Sequence, residues 1–171
     1  MNIVIASDIH GSAEWCRKLV AEIEAEAPDQ VILLGDLLYH GPRNPLPDGY
    51  APAEVAGMLN GLAERITAVR GNCDAEVDQM MLDFPCMADY ALVADGDRKL
   101  FCTHGHVFAP EEPPRLAEGT LFLSGHTHVK VDEVRDGIRF VNPGSVSLPK
   151  DGTHSFAVYR DGNIEFRTFA G

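Results

Sequence analysis

The chain has 171 residues, 45% of them hydrophobic, which suits one compact domain, residues 1–171, with a buried core. Its formal net charge of −12 argues against general binding to nucleic-acid backbones or to anionic membranes. No apolar stretch approaches the roughly 20 residues that cross a bilayer. The N-terminal apolar run lacks a basic flank and soon meets Asp8, unlike a signal peptide, so we expect a cytoplasmic protein with reduced cysteines.

The first half of the chain alternates predicted strands and helices. Three apolar runs are typical of strands, at 3–7, 31–35 and 66–71. Ser12 is a suitable cap for a helix that runs to about Ala27. Pro52 suits the first turn of a second helix, whose apolar stripe consists of Val55, Met58, Leu59 and Leu62. This alternation predicts a sheet of parallel strands.

The second half of the chain has a different pattern. Two more apolar runs predict strands, at 100–103 and 121–125. Asp-Gly pairs between strand-like runs predict three hairpins, at 95–96, 136–137 and 161–162. Parallel units followed by antiparallel hairpins predict an α/β fold of two sheets packed face to face, with helices outside.

Residues of metal-ligand type directly follow five of these predicted strands. They are Asp8, His10, Asp36, Asn72, His104, His126 and His128. Ligands of open α/β sheets bind beyond the carboxyl ends of the strands, so we expect all of these residues to meet at one rim. Oxygen and imidazole ligands in this number suit two divalent metal ions better than one.

The spacing within this set strengthens the prediction. Asp8-x-His10 and His126-x-His128 each place two side chains on the same side of an extended backbone. A glycine, which allows a sharp turn or a close backbone approach, stands directly before three of the ligand-type residues, at Gly35, Gly71 and Gly125.

A long loop rich in Pro and Gly, residues 40–50, follows the strand that leads to Asp36. It is either a plain connector or a wall that faces the substrate, in which His40 or Arg43 contacts a phosphate. His106 likewise has two interpretations: it is either an ordinary surface histidine or a residue that contacts the substrate.

These motifs together resemble the calcineurin-like metallophosphoesterase superfamily, whose pattern D-x-H, G-D, G-N-H-[DE], H and G-H-x-H is similar to the chain from Asp8 to His128. Three further segments resemble the YfcE-like branch of small bacterial phosphodiesterases: NPGS at 142–145, HGPRNPLPDGYAP at 40–52 and GNCD at 71–74. The resemblance implies a four-layer α-β-β-α sandwich of two mixed sheets and the hydrolysis of phosphodiester bonds.

The resemblance also implies how the ligands are divided between two metal ions. One ion would be held by Asp8, His10 and His128, the other by Asn72, His104 and His126, with Asp36 bridging both. Mn²⁺ is the first expectation for both ions, with iron, zinc or nickel as alternatives. A metal-bridging hydroxide would attack phosphorus in line. After Asp8, Asp36 and this hydroxide are counted, about one net positive charge remains, which suits a singly charged phosphodiester.

One position departs from the family pattern. Cys73 stands where the superfamily has a histidine that protonates the leaving oxygen or steadies the transition state. A thiol, with a reference pKa of about 8.5, replaces it poorly, so good leaving groups are favoured unless His40 or His106 supplies the proton. A redox or metal-binding thiolate is the alternative role of Cys73, and Asp74 is expected to orient a ligand or the Cys73 backbone. The expected catalytic residues are therefore Asp36, Asn72, Cys73 and Asp74.

Three functions are compatible with these residues. The leading one is a dinuclear-metal phosphodiesterase that acts on a small-molecule phosphodiester. A phosphomonoesterase or dinucleoside-polyphosphate hydrolase would use the same metals, although Cys73 disfavours it. A non-catalytic scaffold, such as the related retromer subunit, lacks several of the histidines that are all present here. Self-association into a homo-oligomer is a further expectation from the resemblance.

Overall fold

A computed structural model of the chain describes residues 1–169. The strands in chain order are β1 (Asn2–Ala6), β2 (Gln30–Leu33), β3 (Ile66–Ala68), β4 (Tyr90–Asp95), β5 (Arg98–Thr103), β6 (Leu121–Leu123), β7 (Lys130–Arg135), β8 (Ile138–Pro143), β9 (Ser155–Arg160) and β10 (Asn163–Thr168). The α-helices are α1 (Ala13–Glu26), α2 (Pro52–Asn60) and α3 (Glu76–Met81), and a short 3₁₀ helix occupies Ala63–Arg65.

The strands form two mixed five-stranded sheets. The first sheet has the order β10-β9-β1-β2-β3, in which β1, β2 and β3 are parallel and β9 is antiparallel to both of its neighbours, β1 and β10. The second has the order β4-β5-β6-β8-β7, with β5, β6 and β8 parallel and antiparallel strands at both edges. The predicted parallel sheet of the first half is therefore completed by a hairpin from the C-terminal end of the chain.

Helix α1 begins and ends where its sequence predicts. The Ser12 hydroxyl accepts a hydrogen bond from the Trp15 backbone N–H at 3.3 Å, and Ala27 ends the helix in the left-handed conformation. Helix α2 begins at Pro52 as predicted, but Leu62 lies beyond its end. No helix within residues 1–169 combines the length and the apolar character needed to span a bilayer. The cytoplasmic location stays a prediction.

Alternation along β1 separates two cores. Val4 and Ala6 face the helices and pack with the apolar face of α1, whereas Ile3 and Ile5 point to the second sheet. The layer between the sheets is completed by β5 and β6, for example by Leu100. Because β1 is buried on both faces, it reads as a continuous apolar run, as is typical of a central parallel strand.

The outer face of the second sheet carries a smaller aromatic cluster. Phe101 and Phe122 stack there with ring centroids 5.3 Å apart, and Phe108 packs on them. The covering layer is the irregular segment 104–120 in place of the expected helices. Prolines at 110, 113 and 114 explain this difference, since proline disfavours a helical conformation in the preceding residue and lacks an N–H donor. The fold class of two mixed sheets is confirmed.

The three predicted hairpins are all present. Asp136-Gly137 joins β7 to β8, and Asp161-Gly162 joins β9 to β10, with both residues of each pair at positive φ. In the β4–β5 hairpin the turn is Gly96-Asp97, one residue further along than expected, because Asp95 still pairs with Arg98.

Candidate metal centre

The predicted ligand residues meet at one edge of the two sheets, beyond the carboxyl ends of β1, β2, β3, β5 and β6. Asp8, His10 and His128 form a first group, in which one ligand atom of each lies within 4.8 Å of the others. Asp8, Asp36 and His104 form a second group by the same measure. All five of these residues are buried.

The first group presents lone pairs to a common point. His10 Nδ1 donates to the Tyr39 carbonyl oxygen at 2.9 Å, and His128 Nδ1 donates to the Leu148 carbonyl oxygen at 2.6 Å. When the rings are neutral, each Nε2 is therefore an acceptor. The two Nε2 atoms nevertheless lie only 3.3 Å apart, and Asp8 Oδ1 lies 3.1 Å from the Nε2 of His128. Asp8 Oδ1 is buried without a hydrogen-bond partner. Three converging acceptors fit a bound cation.

The second group has the same character. His104 Nδ1 donates to the Leu34 carbonyl oxygen at 2.7 Å, and its Nε2 lies 3.0 Å from Asn72 Oδ1 and 3.4 Å from Asp36 Oδ2. Asp36 Oδ2 is also 3.6 Å from His10 Nε2 in the first group. Asp36 therefore belongs to the second group and also approaches the first, as the predicted bridging role requires.

His126 reaches the centre in two ways. Its backbone N–H donates to Asp8 Oδ2 at 3.1 Å, and its ring centroid lies 5.0 Å from that of His104. His106 packs on the same rings, 5.3 Å from His104 and 6.3 Å from His126. The structure thus brings all the predicted ligand residues together and places His106 beside them.

The carboxylates stabilise positive charge on the imidazole rings. Burial favours a neutral carboxyl group, but the adjacent rings of His10 and His128, when protonated, donate to Asp8 and hold its pKa well below its usual range. Burial also opposes the charged ring of His104, and Asp36 with Asp8 overcomes it and raises the pKa of His104 to about 9. Metal ions would compete with protons for these nitrogen atoms.

Five of the ligand residues have a left-handed backbone, which is uncommon outside glycine. Their φ angles are 58° for Asp8, 48° for His10, 54° for Asp36, 69° for His126 and 60° for His128. Each such residue costs on the order of 1–3 kcal/mol and persists only where its surroundings hold it. Backbone strain concentrated in this way is typical of a functional site.

The NPGS segment, residues 142–145, supplies part of this restraint. The Ser145 hydroxyl donates to the Asp8 carbonyl oxygen at 2.9 Å, and Ser147 donates to the same atom at 3.1 Å. Asn142 Nδ2 donates to the Gly125 carbonyl oxygen at 2.7 Å, just before His126. From the sequence alone, this segment could be assigned no role beyond its resemblance to the same segment of the YfcE-like branch. In the structure it positions the backbones of two ligand-bearing turns.

Asp74 holds the turn around Asp36. Its carboxylate accepts from the backbone N–H groups of Asp36 at 2.8 Å, Leu37 at 2.9 Å and Gly71 at 2.7 Å. Burial raises the pKa of Asp74 and outweighs these hydrogen bonds, which lower it, so that the pKa is about 6. The Cys73 N–H instead donates to Asp36 Oδ1 at 2.8 Å, so Asp74 orients the Asp36 backbone rather than that of Cys73.

Gly71→Ala is expected to weaken metal binding about 10–100-fold, the range for lost support of a ligand. A Cβ at this position would overlap the Asp36 carboxylate and its backbone nitrogen. Gly57→Ala in α2 is the matched control, because nothing lies within 4 Å of its added Cβ. Calorimetric titration with Mn²⁺ measures the effect. Equal affinity of Gly71→Ala and the parent protein would contradict the close approach of Gly71 to Asp36.

The ligand groups open into a cleft of about 510 Å³. Its wall includes Arg43 from the 40–50 loop, as the substrate-facing interpretation predicts, together with Lys150. Lys150 was missed because a lone lysine carries no sequence pattern. Its backbone N–H donates to the His128 carbonyl oxygen at 3.0 Å, which ties it to the centre.

Two predicted substrate residues do not line this cleft. Among the described residues, His40 and His106 are not part of the cleft wall. The His40 ring makes edge contacts with Tyr39 and Tyr50, with centroids 4.8 and 5.2 Å away. Their roles in substrate binding stay predictions.

Cys73 is half-buried and lines the cleft. Burial and the nearby Asp36 carboxylate raise the pKa of its thiol to about 12. Its Sγ lies within 4.8 Å of ligand atoms on His10 and Asp36, and Asn72 Nδ2 donates to it at 3.3 Å. Burial and Asp36 thus disfavour a free thiolate at Cys73, and its role as a redox or metal-binding thiolate stays the alternative prediction.

Comparison with known proteins agrees with this centre. The family model of the calcineurin-like phosphoesterase superfamily domain matches residues 1–161. The chain is 49% identical to phosphodiesterase YfcE of Escherichia coli (strain K12) over 152 residues, 89% of this chain and 83% of that protein. It is 31% identical to the probable metallophosphoesterase YsnB of Bacillus subtilis (strain 168) over 166 residues, 92% of this chain and 83% of that protein.

The fold agrees as well. A solved structure of YfcE, described as a phosphoesterase from E. coli, superimposes with a TM-score of 0.92 at 46% identity and covers 94% of this chain and 89% of that chain. The chain belongs to the calcineurin-like phosphoesterase superfamily.

Proposed function

We propose that the protein is a dinuclear-metal phosphodiesterase that hydrolyses a small phosphodiester. Its superfamily membership makes it a hydrolase of phosphoesters. The observation that carries the finer assignment is the pair of acceptor groups on either side of Asp36, which is 3.6 Å from His10 Nε2 and 3.4 Å from His104 Nε2. One carboxylate between two groups of acceptors suits two neighbouring cations better than one.

The residues present fit the divalent metal ions that the family implies. Asp8, His10 and His128 would hold one ion, and Asn72, His104 and His126 the other, with Asp36 between them. Imidazole and oxygen donors suit Mn²⁺, our first choice, as well as iron, zinc and nickel. Bound there, the ions would lower the pKa of water and offset charge on the phosphate oxygens.

The remaining wall residues support an anionic substrate. Arg43 and Lys150 are exposed cations on the cleft wall of a chain whose net charge is −12. They attract and orient the phosphate group by charge, and Asn72 Nδ2 adds a polar donor at the same wall. Arg43 belongs to the 40–50 loop, so this loop would contact the substrate rather than only connect two elements.

Cys73 favours a diester with a good leaving group. Because burial and Asp36 raise the pKa of its thiol to about 12, Cys73 would donate a proton poorly to a leaving oxygen. The relative YfcE, at 49% identity, is named a phosphodiesterase, which supports a diester over a monoester. We further propose that residues 1–171 act as one domain, since β9 and β10 complete the sheet begun by β1.

The experiment is a comparison of two nitrophenyl substrates with and without metal. Protein stripped with a chelator is expected to be inactive toward bis(4-nitrophenyl) phosphate, and added Mn²⁺ is expected to restore turnover. The monoester 4-nitrophenyl phosphate is expected to react at least about tenfold more slowly in kcat/KM. A faster monoester would favour the phosphomonoesterase, and metal-independent turnover would overturn the dinuclear assignment. A protein that takes up no metal would favour the non-catalytic scaffold.

A further inference from the structure

A second cavity adjoins the metal cleft and has a different character. It encloses about 350 Å³ between the loop before α2 and helix α3, and we call it the α3 groove. Apolar and aromatic side chains dominate its lining, among them Tyr39, Tyr50, Pro52, Cys73, Val77 and Met81. Asp78 belongs to the lining too, but its carboxylate accepts from the Ala75 N–H at 2.6 Å. The groove therefore offers little to a charged group.

The α3 groove adjoins the metal cleft at Cys73, which lines both cavities. Cys73 Sγ lies within 4.8 Å of ligand atoms on His10 and Asp36. We therefore expect a ring joined to phosphorus through one ester oxygen to reach the groove past Cys73 while the phosphate stays at the metal centre. The small side chain of Cys73 lies at this junction.

The groove is apolar at its mouth as well as along its walls. Val77 is 62% exposed, Met81 45% and Tyr39 41%. Flexible methionine and flat tyrosine rings together are well suited to contact an aromatic ring. The cavity volume lies at the lower end of the range of about 300–1,000 Å³ for small-molecule sites, enough for one ring system.

We propose that the α3 groove binds the aryl or heteroaryl group of one ester arm of the substrate. This inference rests on the proposed phosphodiesterase function and narrows its substrate class to phosphodiesters that carry a planar ring. Residues of α3 thereby determine specificity without touching the metal ions.

The test compares two phosphonates that share the anionic group and differ in the ring. Phenylphosphonate is expected to bind about tenfold more tightly than methylphosphonate, as burial of roughly 55 Å² of apolar surface predicts. Met81→Gln and the near-isosteric Val77→Thr are expected to reduce this ratio to about threefold or less, with methylphosphonate affinity unchanged. Met80→Gln is the matched control, because Met80 is the neighbouring α3 residue, is 84% exposed and is not part of the described lining.

Two measurements separate this inference from the proposed function. Inhibition constants against bis(4-nitrophenyl) phosphate use the Mn²⁺-loaded enzyme, and calorimetry on the Zn²⁺-loaded protein measures binding without turnover. A tenfold calorimetric ratio that is lost in Met81→Gln supports the groove even if no diester is hydrolysed. Equal binding of both phosphonates, or a ratio unchanged in Met81→Gln and Val77→Thr, overturns it. An unchanged ratio with an altered sedimentation coefficient in Met81→Gln would assign the groove to contact between copies of the chain.

Discussion

Asp36→Asn is expected to lower kcat/KM for bis(4-nitrophenyl) phosphate by about 10³-fold or more. Loss of a residue that only hydrogen-bonds a metal ligand already lowers metal affinity or activity by about 10–100-fold, and Asp36 is proposed to be a ligand itself. The amide keeps the size of the side chain but removes its negative charge. That charge lies between His10 Nε2, at 3.6 Å, and His104 Nε2, at 3.4 Å. The bound metal content, measured by inductively coupled plasma mass spectrometry, is expected to fall from two ions per chain toward one.

Asp83→Asn is the matched control for Asp36→Asn. It makes the same charge change at an exposed position after α3, so activity and metal content should equal those of the parent protein. Circular dichroism melting verifies that both variants fold. If Asp36→Asn kept the activity and both ions, Asp36 would not bridge the two groups, and the dinuclear assignment would fail.

Cys73→His is expected to extend the activity to diesters with poor leaving groups, such as alkyl esters, by about 10²-fold or more. An imidazole with a pKa near neutrality donates a proton more readily than a thiol whose pKa is about 12. The larger ring has room to adopt a position toward the two cavities that Cys73 lines. Hydrolysis of bis(4-nitrophenyl) phosphate, whose leaving group needs little protonation, should change less than about tenfold.

The dependence of rate on leaving-group pKa measures this effect across a series of aryl methyl phosphates and dialkyl phosphates, in which the leaving group itself is varied. A shallower slope for Cys73→His than for the parent is the expected result. Cys73→Ser is the control of similar size, and its slope should match that of the parent protein. A loss of activity in Cys73→Ser comparable to that in Asp36→Asn would mean that the thiol itself takes part in the reaction.

The ligand residues were predictable because their signals are local. An apolar run followed at once by Asp8, Asp36 or His104 identifies a strand and the chemistry at its end. Parallel strands align their carboxyl ends, so distant positions along the chain meet at one edge. The Ser12 cap and the Asp-Gly hairpins were equally local, and the structure confirms them.

Other features depend on contacts between segments and had no such signal. Lys150 reaches the cleft only because the chain after NPGS folds back on His128. His40 was grouped with Arg43 in one loop, but its ring turns to Tyr39 and Tyr50 instead of the cleft. The irregular, proline-containing segment 104–120 replaces the helices expected over the second sheet, and its side chains pack on the aromatic cluster.

The sequence alone was enough to predict the strands that precede the ligand-type residues, helices α1 and α2, the three hairpins and the family, since each follows from a short run of neighbouring residues. The tertiary structure decided which acceptors face one another, the left-handed turns that carry them, and the junction at Cys73 between a charged cleft and an apolar groove. Those features arise from hydrogen bonds and packing between segments that are distant in the chain, such as Ser145 on Asp8. Local pattern contains no information about such distances.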